Sequence, residues 1–265
     1  MSAGMQPLPL DDRTAAALCL RCLDLTSLGD ADTEADIERL CARACTPFGN
    51  VAAVCVWPRF AACARRRLPP SIAVAAVANF PAGGCDAAAA RREVQAIVAA
   101  GAQEVDLVLP WRTLLGGDDA AVRTLLQAAR AACSTGVLKI ILETGELRAA
   151  ALIERAAALA IDAGADFVKT STGKVPVGAT LQAARSMLRA IAAHGPARER
   201  TGLKISGGLR RVAELRPYLE LVHRTLGPEA LRPQRFRIGA SSLLDDIEAI
   251  LGAGPGAAPA PSHGG

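Results

Sequence analysis

Gly101-Ala-Gln-Glu-Val-Asp106 is matched in form by Gly164-Ala-Asp-Phe-Val-Lys169, and in both a charged residue follows the glycine by five positions. Such a glycine is suited to end a helix in the left-handed conformation, and the apolar residues after it predict a strand. Because side chains alternate between the two faces of a strand, the equal offset places Asp106 and Lys169 on equivalent faces. We therefore predict that both side chains point into the same interior.

Eight short apolar runs recur at about thirty-residue intervals, each followed by small or polar residues and an Ala-rich helical pattern. Runs that are apolar on both faces and separated by helices indicate a parallel sheet. Eight such units in 265 residues favour an α/β fold of the (β/α)8 TIM barrel type, and no Gly-x-Gly-x-x-Gly opens a helix to support a doubly wound sheet. The runs cover residues 20–25, 51–57, 72–80, 104–109, 137–143, 166–171, 202–206 and 235–240.

The chain is predicted to form a single domain over residues 1–251, comprising the barrel and a short N-terminal helical arm. Residues 252–265 read Gly-Ala-Gly-Pro-Gly-Ala-Ala-Pro-Ala-Pro-Ser-His-Gly-Gly. A segment rich in glycine, proline and alanine cannot bury enough apolar surface to fold, so we expect a disordered tail.

Composition argues against several classes of partner. With 51% hydrophobic residues the chain can bury a large core, and its formal charge is only +4. The longest basic run, Arg65-Arg66-Arg67, lacks aromatic interleaving, so we expect no nucleic-acid partner. The first residues resemble no signal peptide and no segment has the length of a membrane span, so we expect no membrane association and a cytoplasmic location.

Two cysteine pairs, Cys19-x-x-Cys22 and Cys41-x-x-x-Cys45, raise the question of a zinc site. Leucines interleave the first pair, and the second fits one turn of a helix. We therefore expect buried thiols and no metal, and no disulfides in a reducing compartment.

Lysine is scarce: only Lys139, Lys169, Lys174 and Lys204 stand among thirty Lys and Arg residues. Arginine supplies surface charge equally well but cannot become a neutral amine nucleophile. Lys169 and Lys204 lie in apolar runs, where a charged amine is costly unless it is paired, neutral or used in chemistry. Lys139 lies in mid-strand and is expected to be a paired core cation, whereas Lys174 follows a glycine and is expected to face a phosphate.

The reaction class follows from Lys169 and Lys204 if both project into one cavity. Two amines about 5 Å apart at an effective dielectric near 20 repel by roughly 3 kcal/mol, which lowers one pKa by about two units. An amine with a lowered pKa can attack a carbonyl and form a Schiff base without a metal or cofactor. Asp106 would hold the second lysine or relay a proton through water. The alternative for each lysine is ordinary ion pairing with Asp24, Asp106 or Glu143.

A phosphate site is predicted after the last three strands. Thr172-Gly173-Lys174, Ser206-Gly207-Gly208 and Gly239-Ala-Ser-Ser242 offer glycine amides and small hydroxyls, and a short helix is expected to start near Ser241. Such loops commonly hold phosphate at this end of a barrel. Polar residues elsewhere on the rim, including Asp24 and Thr170, are expected to contact the substrate.

At these residues the chain resembles the class I deoxyribose-phosphate aldolases, from about Asp24 to Leu244. The resemblance implies reversible cleavage of 2-deoxy-D-ribose 5-phosphate to acetaldehyde and D-glyceraldehyde 3-phosphate in deoxynucleoside catabolism, with no cofactor and as a homodimer. The matching motifs are Leu23-Asp-Leu-Thr26, Thr46-Pro-Phe-Gly-Asn-Val-Ala-Ala-Val-Cys55, Asn79-Phe-Pro81, Glu104-Val-Asp-Leu-Val-Leu-Pro110, Glu143-Thr-Gly-Glu-Leu147, Phe167-Val-Lys-Thr-Ser-Thr-Gly-Lys174, Lys204-Ile-Ser-Gly-Gly208 and Gly239-Ala-Ser-Ser242.

The resemblance also implies residue roles. Lys169 would form the Schiff base, Lys204 would lower its pKa and join proton transfer, and Asp106 would complete the relay. The residues implied to surround the substrate phosphate are Gly173, Lys174, Gly207, Gly208, Ser241 and Ser242. Some members of the family end in a tyrosine that assists proton exchange, whereas this sequence ends in Ser262-His-Gly-Gly265.

Two other functions stay open at this point. One is a different Schiff-base aldolase or transaldolase-like barrel, with a donor such as dihydroxyacetone or pyruvate. The other is a non-catalytic barrel that only binds a phosphosugar. A separate hypothesis concerns Cys55, whose thiol would be trapped by aldehydes if it faces the cavity, and would be inert if it is simply buried.

Overall fold

The computed structural model describes Leu8 and residues 10–253 and contains a closed barrel of eight parallel strands. Each strand pairs with its neighbours in chain order, and the last pairs with the first. The predicted (β/α)8 fold is therefore confirmed. The strands are β1 (Leu23–Thr26), β2 (Ala53–Val56), β3 (Ala73–Ala78), β4 (Glu104–Val108), β5 (Val137–Ile141), β6 (Phe167–Lys169), β7 (Gly202–Ser206) and β8 (Phe236–Ala240).

Each predicted apolar run overlaps one strand, although most runs extend beyond it and the first strand ends one residue past its run. The first run begins before its strand because its opening residues complete a helix that ends at Arg21, with Cys22 as the cap. The sixth run outlasts β6 because residues 170–171 enter the loop that faces the cavity. Apolar character alone does not mark where the strand hydrogen bonds stop.

Helices connect successive strands and cover the outside of the barrel. Between β1 and β2 there is also a two-stranded hairpin, Cys45–Thr46 with Gly49–Asn50. Short 3₁₀ turns occupy Pro58–Phe60 and Pro228–Ala230. The helices are α1 (Asp12–Arg21), α2 (Glu34–Arg43), α3 (Ala61–Arg67), α4 (Ala87–Ala99), α5 (Trp111–Leu115), α6 (Asp119–Ala132), α7 (Thr144–Leu147), α8 (Ala150–Asp162), α9 (Leu181–Ala193), α10 (Ala197–Arg200), α11 (Val212–Leu226) and α12 (Leu243–Gly252).

Helices α1 and α12 are the helices nearest the two ends of the described residues. Helix α1 precedes the first strand, as expected of an N-terminal helical arm, and packs against α12. Helix α12 includes Gly252, one residue past the predicted limit. The predicted tail otherwise lies outside the described residues from 254 onward. No helix in the described part of the chain is long and apolar enough to cross a bilayer.

The outward face of the strands packs against the helices and forms the main core, while the inward face carries charge. On β4, Val105 and Leu107 belong to the core cluster, whereas the alternating residues Glu104 and Asp106 are buried on the other face. Strand alternation therefore directs the charged residues of this strand into the barrel. This arrangement positions the site described below.

The cysteine pairs differ from each other in the structure. Cys19 and Cys22 are buried in the core, where burial raises the pKa of each thiol. Cys41 is buried in α2, but Cys45 is exposed on the hairpin rather than one turn further along the helix. The predicted helical spacing of the second pair was wrong because α2 ends at Arg43.

Candidate active site

A network of seven buried charged side chains fills the barrel interior. Asp106 is its centre and is completely buried. Its Oδ2 atom lies 2.8 Å from Lys169 Nζ and 2.7 Å from Lys204 Nζ, and its Oδ1 atom lies 3.0 Å from Lys139 Nζ. Asp106 and Lys169 both point into the barrel interior, as the internal repeat predicted, and there they contact each other. The members are Asp24, Glu104, Asp106, Lys139, Lys169, Lys204 and Arg237.

Lys169 is the member of this network that lines the cavity at the carboxyl ends of the strands. It ends β6, is 3% exposed and lines the cavity wall. Burial lowers the pKa of the Lys169 amine, and the charge of Asp106 raises it. The neighbouring charge of Lys204 lowers it again, so the pKa of Lys169 falls below its ordinary value. Repulsion by Lys204 was expected to be the main cause of the lowered pKa of Lys169, whereas desolvation of the buried amine is the larger cause. The result is an amine that is easier to obtain in its neutral, nucleophilic form.

Lys204 stays the more basic of the two amines. It is paired in register with Lys169 across β6 and β7 and contacts both Asp24 and Asp106. Burial alone would lower the pKa of Lys204, but the two carboxylates together outweigh burial and raise it. Lys204 is therefore held as a cation beside an amine that tends to be neutral.

Lys139 is a paired core cation, in agreement with its mid-strand position. Its Nζ atom lies 2.9 Å from Asp24 Oδ2 and 3.0 Å from Asp106 Oδ1, and it also contacts Glu104. Despite complete burial, these carboxylates raise the pKa of Lys139 well above its usual range. It has no path to the cavity as a nucleophile.

Two residues expected to contact substrate have other partners. Asp24 is completely buried, and its carboxylate binds Lys139, Lys204 and Arg237 rather than lining the cavity. Thr170 is also buried, and its hydroxyl donates to the Ser206 carbonyl at 3.1 Å. Neither residue lines the cavity in this structure, and contact of either with the substrate stays a prediction.

A cavity of about 430 Å³ opens where four adjacent strands, β6, β7, β8 and β1, reach their carboxyl ends. This is the end of a TIM barrel at which active sites are found. The predicted residues Lys169, Gly173, Lys174 and Gly239 lie in its wall. The complete lining is Thr26, Ser27, Leu28, Gly29, Asp32, Lys169, Thr172, Gly173, Lys174, Ser206, Gly207, Gly208, Leu209, Arg210, Gly239, Ala240, Ser241 and Ser242.

The lining contains the backbone features of an anion cradle. Gly173, Gly207 and Gly208 all have positive φ, at 79°, 96° and 83°, which glycine adopts without strain. Ser242 caps the start of α12, so the amino end of that ten-residue helix faces the cavity. Backbone amides so arranged attract an anion.

Gly239 has a steric role toward the lysines. A Cβ atom at this position would lie 3.2 Å from Lys204 Cε and 3.0 Å from Ser206 Cβ. Because Gly239 has no side chain, the side chain of Lys204 has space to extend to Asp24 and Asp106.

Lys174 is held at the cavity edge by weak contacts. Its Nζ atom lies 3.1 Å from Asp30 Oδ1 and 5.8 Å from the centre of the Trp57 ring. Asp30 is largely exposed, and an exposed ion pair of this kind contributes only about 0–1 kcal/mol. An anion that binds in the cavity can therefore replace Asp30 as the partner of Lys174 with little loss of free energy.

The loop that carries Lys174 is ordered by Glu143. This residue has φ 54° and accepts hydrogen bonds from the Thr172 amide at 3.1 Å and the Thr172 hydroxyl at 2.5 Å. The Thr172 hydroxyl in turn accepts from the Lys174 amide at 3.0 Å. Glu143 thus shapes the loop rather than pairing with Lys169.

Arg210 and Asp32 also line the cavity but were not predicted. Arg210 comes shortly after the glycine pair 207–208, and this position in the sequence could have indicated a second cation in the cavity wall. Asp32 accepts from the Ser27 hydroxyl at 2.8 Å and the Gly29 amide at 3.0 Å, which folds the loop after β1.

Cys55 faces the barrel interior and lies 4.0 Å from Asp106 Oδ2. It forms an apolar cluster with Ala75 and Val77, bordered by Leu28, Trp57 and Phe80. Burial, and then the charge of Asp106, raise the pKa of the thiol. Because the thiolate is the reactive form, this environment favours the inert form of Cys55.

The fold and the site together define a (β/α)8-barrel enzyme with a buried lysine beside an anion cradle. The family model of the DeoC/LacD family aldolases matches residues 19–247, so the chain belongs to that family of aldolases. The resemblance found in the motifs is thereby confirmed.

Known relatives agree over nearly the whole chain. A deoxyribose-phosphate aldolase of Agrobacterium fabrum (strain C58 / ATCC 33970) is 47% identical over 245 residues, covering 91% of this chain and 93% of the relative. The apo structure of a protein assigned as a deoxyribose-phosphate aldolase in Toxoplasma gondii ME49 is 25% identical, with a TM-score of 0.84 and coverage of 91% and 98%. A tetrameric deoxyribose phosphate aldolase of Aeropyrum pernix is 24% identical, with a TM-score of 0.68 and coverage of 90% and 92%, and shares the fold.

Proposed function

We propose that this chain is a class I aldolase that reversibly cleaves 2-deoxy-D-ribose 5-phosphate to acetaldehyde and D-glyceraldehyde 3-phosphate. The observation that carries the proposal is Lys169, a buried amine of lowered pKa that opens onto a cavity with an anion cradle. The 47% identical relative named for this activity supports the choice of substrate.

In the forward reaction the neutral Lys169 amine attacks C1 of the open-chain sugar, and loss of water gives an iminium ion. Removal of the C3 hydroxyl proton breaks the C2–C3 bond, and its electron pair passes to the iminium as an enamine. The three-carbon phosphorylated aldehyde leaves. Protonation at C2 and hydrolysis then release acetaldehyde and restore the amine.

Asp106 and Lys204 are suited to the proton transfers of this cycle. Asp106 Oδ2 contacts both lysines, and a proton taken up at one amine has a path of 2.7–2.8 Å contacts to the other. We assign them the relay role, with water carrying the proton between Asp106 and the substrate.

The far end of the substrate would be bound by the anion cradle. Gly173, Gly207, Gly208, Ser241 and Ser242 offer amides and hydroxyls around one part of the cavity. Gly239, Lys174 and Arg210 also lie in the wall, and the two cations would add charge-assisted hydrogen bonds to the phosphate.

A donor screen tests the proposed function against the other Schiff-base aldolases. Glyceraldehyde 3-phosphate is offered with acetaldehyde, dihydroxyacetone or pyruvate, and each condensation product is measured by mass spectrometry. We expect a product with acetaldehyde at a rate at least about tenfold above the other donors, because acetaldehyde is the donor of the proposed reaction, for which the 47% identical relative is named. A faster reaction with dihydroxyacetone or pyruvate would replace this substrate assignment.

Substitution of Lys174 tests the phosphate site. In Lys174→Ala we expect KM for deoxyribose 5-phosphate to rise about tenfold, roughly 1.4 kcal/mol, because one charge-assisted contact is lost. The kcat/KM for unphosphorylated deoxyribose should be unchanged. The matched control is Asp30→Asn, which removes the present partner of Lys174 and should not raise KM. Equal losses on both substrates in Lys174→Ala would refute the phosphate role.

The homodimer, the role in deoxynucleoside catabolism and the cytoplasmic location remain predictions. The tetrameric Aeropyrum pernix protein indicates that relatives of this fold assemble beyond the dimer. A role in catabolism follows from the proposed reaction, since it converts a deoxypentose phosphate into two smaller aldehydes.

A further inference from the structure

Arg237 and Glu104 are buried beside the network but take no part in the mechanism above. Arg237 points inward from β8, in register with Lys204 on β7. Its guanidinium donates to Asp24 Oδ1 at 2.6 Å and to both oxygens of Glu104, at 2.7 and 3.1 Å. A two-pronged contact of this kind fixes the orientation of the carboxylate as well as its charge.

The network contains four basic groups and three carboxylates, so one positive charge lacks a carboxylate of its own. Arginine side chains do not lose their proton in proteins, so Arg237 stays charged. Lys139 contacts three carboxylates and Lys204 contacts two. Lys169 contacts only Asp106, through the oxygen that it shares with Lys204. The excess charge is therefore relieved most easily at Lys169.

We propose that Arg237 and Glu104 are positioning residues that together set the net charge of the barrel interior, with Arg237 favouring the neutral amine of Lys169 and Glu104 opposing it. The role in turnover rests on the proposed Schiff-base function, whereas the charge balance itself does not. Neither residue contacts the reacting atoms.

Arg237 acts through Asp24. By binding Asp24 Oδ1 it leaves Oδ2 to Lys139 and Lys204, which keeps Lys204 charged at the side of Lys169. Burial would lower the pKa of the guanidinium, but Asp24 and Glu104 outweigh burial and raise it, so the charge is permanent. Without Arg237, three lysines would face three carboxylates, and Lys169 could keep its proton with Asp106 as its partner.

Glu104 acts in the opposite sense. Loss of its charge would leave two uncompensated cations and would favour the neutral amine more strongly. The charged or titratable groups that act on Lys169 directly are Asp106 from β4, Lys204 from β7 and the Cys55 thiol from β2. The charge of Lys169 also acts on the pKa of Glu143, which follows β5. These groups stay in place in the variants below.

Three variants test the proposal: Arg237→Met, Glu104→Gln and the double variant with both changes. The readout is competitive labelling of the Lys169 amine with acetic anhydride across pH, followed by mass spectrometry of its peptide. We expect the labelling midpoint to rise by about one pH unit in Arg237→Met and to fall by about one unit in Glu104→Gln. The double variant, which restores the charge balance, should return to within a few tenths of the parent midpoint.

The opposite signs separate charge from structural damage. The proposal would be overturned if the labelling midpoint shifted in the same direction in the two single variants. It would also be overturned if the midpoint of the double variant shifted as far as that of either single variant. Arg237→Lys keeps the charge and should give the parent midpoint; a one-unit shift in it would also count against the proposal. If Arg237→Met does not fold, as judged by circular dichroism, Glu104→Gln and the double variant decide the outcome.

Labelling does not depend on aldol chemistry. A parent enzyme that shows the expected midpoints but forms no adduct with deoxyribose 5-phosphate would contradict the proposed function alone. An enzyme that forms the adduct with unchanged midpoints in all variants would contradict the charge-balance proposal alone.

Discussion

Lys169→Leu is expected to abolish turnover of 2-deoxy-D-ribose 5-phosphate, with a fall in kcat of at least about 10⁴-fold, because no other amine can replace the nucleophile. Lys139 and Lys204 are completely buried and held by carboxylates, and Lys174 lies beyond the reacting end at the cavity edge. Turnover is measured by coupled detection of glyceraldehyde 3-phosphate.

The matched control is Lys174→Leu, which removes a lysine from the wall of the same cavity. It should retain measurable kcat, with the loss confined to KM. Leucine at position 169 also removes a charge from a buried site, so loss of the fold is not expected, and circular dichroism checks this. Full activity of Lys169→Leu would refute the mechanism.

Lys204→Leu is expected to lower kcat by about 10³-fold and to move Schiff-base formation to higher pH. The sign follows from the contacts of Lys169. The Lys204 charge lowers the pKa of Lys169, and Lys204 also shares Asp106 Oδ2 with it. Loss of Lys204 removes the repulsion and leaves Asp106 to Lys169 alone, and both changes raise the pKa of Lys169.

The pH profile measures this change directly. Schiff-base formation needs the neutral amine, so it is lost as pH falls through the pKa of Lys169. In Lys204→Leu the midpoint should rise by about two units. Lys204→Arg is the control: it retains the charge but cannot transfer a proton, so it should keep a midpoint near that of the parent while kcat falls. A midpoint unchanged in Lys204→Leu would show that Lys204 does not set the pKa of Lys169.

Sequence reasoning succeeded where local periodicity was enough. The equal offsets of Asp106 and Lys169 from helix-ending glycines predicted that both side chains point into the same interior, where the structure shows them 2.8 Å apart. The loops predicted to bind phosphate were chosen for a similar reason, and their glycines Gly173, Gly207 and Gly208 have positive φ and line the cavity. Both features depend on residues near each other in the chain.

The arrangement inside the barrel was beyond such reasoning. Arg235 and Arg237 are two residues apart, so strand alternation would place them on one face, but Arg235 precedes β8 and only Arg237 turns inward to Asp24 and Glu104. Arg235 instead donates to backbone carbonyls such as that of Thr201. The depth of Asp24 depends on the stagger of β1 against its neighbours, which arises on closure of the barrel. Neither the register nor the stagger is visible in the apolar pattern.

Borohydride trapping tests the central claim most directly. The parent enzyme is incubated with 2-deoxy-D-ribose 5-phosphate, reduced with sodium borohydride, digested and analysed by tandem mass spectrometry. We predict a reduced adduct, ending as an ethyl group once the sugar has been cleaved, on Lys169 and on no other lysine. An unmodified Lys169 in an enzyme that turns over this substrate, or an adduct on Lys204 instead, would contradict the account.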